Sequence, residues 1–267
     1  MRTRKAAAIA VMSMAASAVH AEPPVRLYAA GSLKAALSEI AAAFQQETGI
    51  AVAGTYGASG LLRDRIANGE DAEVFASANM AHPESLAKSG RAGPVFVFAL
   101  NQLCALAGPT IEVTTETLLE RMLDPKIKLG TSTPKADPSG DYAWILFEKA
   151  ETLKSGAYAA LTAKAQMLTG GPNSPPPPAN RIVYGKLVEE GTADIFLTYC
   201  TNAVAARKES PSLKVVAVPE ALAVGAQYGL TVMKDARPDA DKFAAFVRSP
   251  MGRALLVRHG FGLPPAR

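Results

Sequence analysis

Extended apolar runs and helix-patterned segments alternate along nearly the whole chain, and no other feature limits the fold as much. Val25 to Ala29 is a short apolar run. Leu33 to Phe44 has apolar residues at helical spacing and stops near Gly49. Ile50 to Tyr56 reads as a strand, Leu61 to Ile66 as a helix stopped near Gly69, and Ala72 to Ala76 as a strand. Pro83 to Ser89 is helix-like up to Gly90, and Val95 to Leu100 and Leu103 to Ala107 are both apolar and extended. The second half resumes the rhythm. Lys128 to Thr131 is a strand candidate, Asp137 to Asp141 a turn, and Tyr142 to Glu151 a helix. Ile182 to Glu190 is a helix ending at Gly191, and Ala193 to Tyr199 a strand. Leu213 to Val218 and Tyr228 to Met233 are further strands, and Asp239 to Val247 and Met251 to His259 are closing helices. Such strand–helix–strand units imply an α/β fold, with a largely parallel sheet covered by helices. Between them, Gly170 to Pro178 carries five prolines. Their fixed φ and missing donors make this a stiff loop.

The first residues read as an address. Arg2, Arg4 and Lys5 form a basic start, Ala6 to Ala16 is a short apolar stretch, and Val19-His20-Ala21 suits cleavage after Ala21. This is a secretory signal peptide pattern, with an apolar run too short to span a bilayer stably. An uncleaved N-terminal anchor is the alternative. Losing the three basic residues lowers the formal net charge from +4 to +1. The mature chain has no basic tract with interleaved aromatics, so nucleic acid is not an expected partner. No other stretch is apolar and long enough for membrane insertion, so a soluble periplasmic product is expected. Cys104 and Cys200 are the only cysteines. In an oxidising compartment they form either one disulfide or two buried thiols.

Three turns stand out chemically. Ala29-Ala30-Gly31-Ser32, Gly57-Ala58-Ser59-Gly60 and Pro138-Ser139-Gly140 each follow an extended run and open a helix. A serine there offers a hydroxyl and a free backbone N–H at the positive end of a helix, which suits an anion. Each serine also suits an ordinary N-cap. Arg181 begins the helix at Ile182. Tyr199 ends a buried strand, where its hydroxyl either enters a crevice or packs in the core. This set supplies donors, with no metal ligands, general base or positioned nucleophile. Neither a resident metal nor a cofactor is expected. Donor-only sites suit fully deprotonated oxyanions, and a ligand carrying its own proton would set donor against donor.

In these segments the chain resembles the periplasmic molybdate- and tungstate-binding proteins of bacterial ABC importers. The likeness rests on the strand followed by Ala29-Ala30-x-Ser32-Leu33, on Gly-x-Ser59 and its helix, and on the Pro138-Ser139-Gly140 turn. It rests also on Leu187-Val188-Glu189 through Ala193 to Tyr199, and on Pro250-x-Gly252-x-x-Leu255-Leu256 before His259-Gly260-Phe261. The resemblance implies two α/β lobes, each with a mixed, mostly parallel sheet, a hinge of crossover strands, and an oxyanion bound between the lobes. It places lobe I at 22–99 and 220–267 and lobe II at 100–219. It implies a monomer that delivers its anion to permease subunits. Carried over, Ser32 and Ser59 donate by hydroxyl and backbone N–H, Ser139 by backbone N–H with an extra hydroxyl, and Tyr199 by its hydroxyl. Arg181 stands where the family has a small apolar residue donating only its N–H. It adds a fixed charge and a forked donor, or it points outward or pairs with Asp137 or Asp141. The proline loop before it also departs from the family pattern. Two other functions remain to be weighed. One is the same fold holding a different small anion, such as phosphate or a carboxylate, because of Arg181. The other is an exported serine hydrolase using Ser59, with His259 as base. Against it, Leu61 stands where a nucleophile elbow has its second glycine.

Overall fold

The computed structural model describes residues 22–265, so the leader and its cleavage site lie outside the described residues. The α/β alternation is present, and it is organised as two halves of one continuous, curled sheet. In the first half, β1 (Val25–Ala30) pairs in parallel with β2 (Val52–Gly57) and with β3 (Val74–Ser77). Strand β9 (Gly225–Val232) then runs antiparallel between β3 and β4 (Phe96–Ala107). In the second half, β7 (Ile195–Tyr199) and β6 (Gln166–Thr169) flank β5 (Leu129–Ser132) in parallel. Strand β4 runs antiparallel to β7 and to β8 (Lys214–Ala217). Each half therefore has four strands in one direction and a fifth against them, which is the mixed, mostly parallel arrangement expected.

Strand β4 joins the halves. Residues 96–102 pair with β9, whereas residues 103–107 pair with β7. The sequence reads as two strands here because Asn101 and Gln102 interrupt the apolar run. They stay in the strand because β9 pairs with both, at Ala226 and Gly225. The disulfide alternative is the one realised: Cys104 on β4 is bonded to Cys200, the first residue of α8 (Cys200–Glu209).

The helices follow from buried stripes. Helix α1 (Lys34–Thr48) buries Ala36, Leu37, Ile40 and Phe44, and the Phe44 ring lies 5.3 Å from Phe243 on α9 (Pro238–Arg248). It stops at Gly49, whose φ of 77° is open to glycine at little cost. Helix α2 (Ser59–Ala67) follows β2, and α3 (Ala81–Lys88) follows β3. Helix α5 (Pro138–Leu153) follows β5, and α7 (Val183–Glu189) precedes β7. Helices α4 (Leu118–Leu123), α6 (Ala157–Lys164) and α8, with strand β6, lie outside the pattern read from sequence. The core of the first half also holds a carboxylate. Glu73 is buried, accepts Arg237 Nε at 2.8 Å and the Arg26 N–H at 2.9 Å, and is held at about 2 by those donors.

Candidate functional site

Strands β1 and β2 enter turns at Gly31 and Gly57, and β7 ends at Tyr199. The ends of these strands and the following helix starts face one cleft of about 610 Å³ between the two halves. Ser32, Ser59, Asp137, Arg181 and Tyr199 all line it. Ser139 is not among the lining residues. It is fully buried behind Asp137, and its Oγ has no hydrogen-bond partner.

Helix α2 opens at Ser59 because Ala58 is still extended, and no side chain caps the helix. Ser59 Oγ accepts the Ala78 N–H at 3.1 Å, which leaves its own proton free to donate. The other end of the Ala78 residue faces the second half. Tyr199 and Tyr142 both donate their hydroxyls to the Ala78 carbonyl at 3.4 Å. These bonds are long for O–H···O, so a better acceptor would take either hydroxyl at little cost. Burial raises both phenols, Tyr142 to about 12, so each remains a neutral donor at any ordinary pH. On the first-half wall, Ser32 Oγ and the Tyr228 hydroxyl are 3.0 Å apart, and Asn101 Nδ2 donates to Tyr228 at 3.3 Å. The Tyr228 ring lies 5.5 Å from that of Tyr199.

The halves also meet through backbone. Gly60 N–H donates to the Ala136 carbonyl at 2.8 Å. A Cβ at Gly60 would lie 2.7 Å from that same oxygen, so only glycine admits this approach. The segment it touches includes Lys135, which has a φ of 67°.

Asp137 is the residue that sequence reading left as part of a turn. It is the N-cap of α5, with Pro138 at the first helical position, and its Oδ1 accepts the Ser139 N–H at 3.1 Å. The signal was present: Asp before Pro at a helix start is an N-cap pattern. The Ser139 N–H that the resemblance assigns to ligand therefore already faces a carboxylate. Arg181 pairs with neither Asp137 nor Asp141. Its guanidinium bonds Glu189, lies 3.7 Å from Glu209 and donates to Ser210 Oγ at 3.3 Å. Its charge is balanced on the cleft wall by two carboxylates.

Among the described residues no His, Cys, Asp and Glu cluster could hold a metal ion. His82 is buried, and burial lowers it to about 4. His259 lies against Glu39 on α1, at 2.7 Å. Among the described residues, neither imidazole is hydrogen-bonded to Ser59 Oγ, which the hydrolase alternative requires of its base.

Residues 25–262 match the bacterial extracellular solute-binding proteins. The chain belongs to this family. It is 36% identical over 207 residues to PM1146 of Pasteurella multocida, covering 77% of this chain and 86% of that one. The molybdate-binding protein ModA of Mycobacterium tuberculosis is 27% identical over 252 residues, 89% of this chain and 84% of that one. The fold is that of the periplasmic molybdate-binding protein of Azotobacter vinelandii, with a TM-score of 0.71 at 21% identity over 90% of this chain and all of that one. It is equally that of the sulfate-binding protein SubI of M. tuberculosis, with a TM-score of 0.76 at 17% identity over 91% and 87%. This solute-binding protein is thus two-lobed, with its cleft between the lobes, and is of the kind that serves ABC importers.

Proposed function

We propose that this solute-binding protein captures molybdate or tungstate between its lobes in the periplasm and delivers it to an ABC permease. The observation that carries this is the convergence on Ala78: uncharged hydroxyls from both lobes, Ser59 and Tyr199, address opposite ends of one residue at the cleft. A tetrahedral oxyanion is the ligand such donors suit, since it offers acceptors in every direction and no proton of its own. The ModA relative supports the choice of anion. In this reading Ser32 and Ser59 donate from lobe I (22–99 and 220–267). Tyr199 donates from lobe II (100–219), with Arg181 on its wall, while the Ser139 N–H stays with Asp137 and supports the site from behind. Strands β4 and β9 form the hinge, and the closed monomer docks on the permease.

A second reading keeps the fold and changes the anion to phosphate, sulfate or a carboxylate. It is favoured by a cleft several times larger than one tetrahedral oxyanion and by Arg181 in its wall. Titration calorimetry of residues 22–267 with molybdate, tungstate, sulfate and phosphate separates the two. Tight binding of the first pair, with neglect of the second, is expected. Ser59→Ala then weakens molybdate binding by roughly ten- to a hundredfold, the effect of one charge-assisted hydrogen bond. Binding of phosphate or sulfate alone replaces the ligand. Unchanged affinity in Ser59→Ala removes that serine from the site.

A further inference from the structure

A carboxylate in an oxyanion cleft needs an explanation, and Asp137 is such a group. Its Oδ1 caps α5 through the Ser139 N–H. Its Oδ2 lies over Gly170, where a Cβ would come within 2.9 Å of the carboxyl carbon. Beside it, Ser139 Oγ is buried without an acceptor. The groups facing Asp137 offer no counter-charge. Ser132 contributes a hydroxyl from β5, and Asp141 follows one turn along α5. Tyr184 from α7 and Tyr199 from β7 complete the surroundings. Lys135 serves Asp141, which accepts its backbone N–H at 2.7 Å. From the opposing lobe this segment meets Gly60. The other charged side chains on the cleft are the exposed Lys34 and the paired Arg181 and Glu209. A doubly charged oxyanion seated beside an ionised Asp137 would therefore place like charges side by side in the cleft.

We propose that Asp137 takes up one proton when the oxyanion binds, so that capture of a dianion is coupled to a single proton from solution. This rests on the oxyanion reading of the cleft. The proton adds to Oδ2, which then donates to a ligand oxygen, while Oδ1 keeps its bond from Ser139. A dianion, a carboxylate and one proton become a dianion hydrogen-bonded to a neutral carboxylic acid. Burial is the largest influence on the free carboxyl and raises it to about 6; the Ser139 N–H and the Ser132 hydroxyl oppose this, and Asp141 adds to it. The bound anion raises it further. Affinity is accordingly flat below about pH 6 and weakens above it, by up to about tenfold per pH unit, until the bound form also ionises.

The test is calorimetric titration with molybdate between about pH 6 and about pH 9, where the probe itself stays a dianion. Repeating it near neutrality in buffers of different ionisation enthalpy counts the protons taken up by the unaltered protein. Uptake approaching one proton is expected, with affinity falling as pH rises. Asp137→Asn retains an N-cap acceptor without the charge. It should bind molybdate with little dependence on pH and more tightly than wild type at the alkaline end. If molybdate binds wild type with no proton uptake and a flat profile, Asp137 is only a helix cap and the inference fails, while the oxyanion reading stands. If molybdate binds at no pH while sulfate or phosphate does, the molybdate reading falls and the coupling is judged on that anion by the same proton count; if none binds, both fall together.

Discussion

The two lobes present helix starts to the same cleft but prepare them differently. In lobe I the α2 N-terminus has no side-chain cap, and Ser59 Oγ is turned so that its proton remains free. In lobe II the α5 N-terminus is already occupied by its own acid, Asp137, with Asp141 in the first turn. An uncapped helix start is an electrostatic socket, whereas a capped one is a socket with a built-in competitor. Lobe I is therefore the half that attracts an anion at any pH. Lobe II is the half whose attraction depends on the charge state of one residue. The lobes are fastened differently too. The buried Glu73, paired with the part-exposed Arg237, stitches lobe I, whereas a covalent Cys104–Cys200 link ties the shared strand β4 to the end of β7 in lobe II.

Breaking the covalent tie should have the largest effect. The bond closes a loop spanning 96 residues of sequence. In the chain-entropy account, a loop of that length contributes about 4.7 kcal/mol. Cys104→Ser together with Cys200→Ser should lower unfolding free energy in urea by about that amount. It should also slacken Tyr199, the neighbour of Cys200, and so weaken molybdate binding. A loss below about 1 kcal/mol would mean that the packing around β4 holds lobe II without the bond.

The contact between the lobes comes next. Gly60→Ala places a methyl against the Ala136 carbonyl, where lobe I backbone hydrogen-bonds lobe II backbone beside the cleft. The cost falls on approach of the lobes and not on folding of either. Affinity for molybdate should drop by about a hundredfold, roughly 2.7 kcal/mol, with a thermal midpoint close to wild type. Unchanged affinity would show that ligand is held without this approach, and lobe I alone would then account for binding.

The same contrast decides what could be read from sequence. The strands and most helices were legible because buried stripes such as Leu37, Ile40 and Phe44 impose a helical period, and because glycines such as Gly49 and Gly69 mark real stops. Helix α8 was not, because it starts directly after Tyr199 without a punctuating turn and its residues, CTNAVAARKE, carry almost no apolar stripe. Strand β6 was hidden for a related reason: it is a short edge strand with an exposed Met167. The serine turns of lobe I and the end of β7 were legible, since each sits where an apolar run meets a helix start. The constellation around Ala78 was not, because alanine carries no chemical signal and its role comes from what reaches it across the cleft. Asp137 was overlooked for the opposite reason, since Asp-Pro-Ser-Gly explains itself fully as a local turn.

The smallest effect is expected at Arg181, the charged departure from the family pattern in lobe II. A forked cation on the wall of an anion cleft invites a role in binding, but its charge already faces two carboxylates. Glu189 and Ser210 take Nη2, and Glu209 stands 3.7 Å from Nε. To grip a ligand, the guanidinium would have to leave two carboxylates that would then face the anion unbalanced. With 44% of its side chain exposed, the pair is also screened by solvent and worth little to the fold. Arg181→Gln should therefore change molybdate affinity by no more than about threefold and stability by less than about 1 kcal/mol. A loss of tenfold or more, recovered in Arg181→Lys, would show that the anion draws the charge out of its ion pairs. Lobe II would then attract anions with a fixed cation as well as with the switchable acid at Asp137, and the contrast between the lobes would narrow to the acid alone.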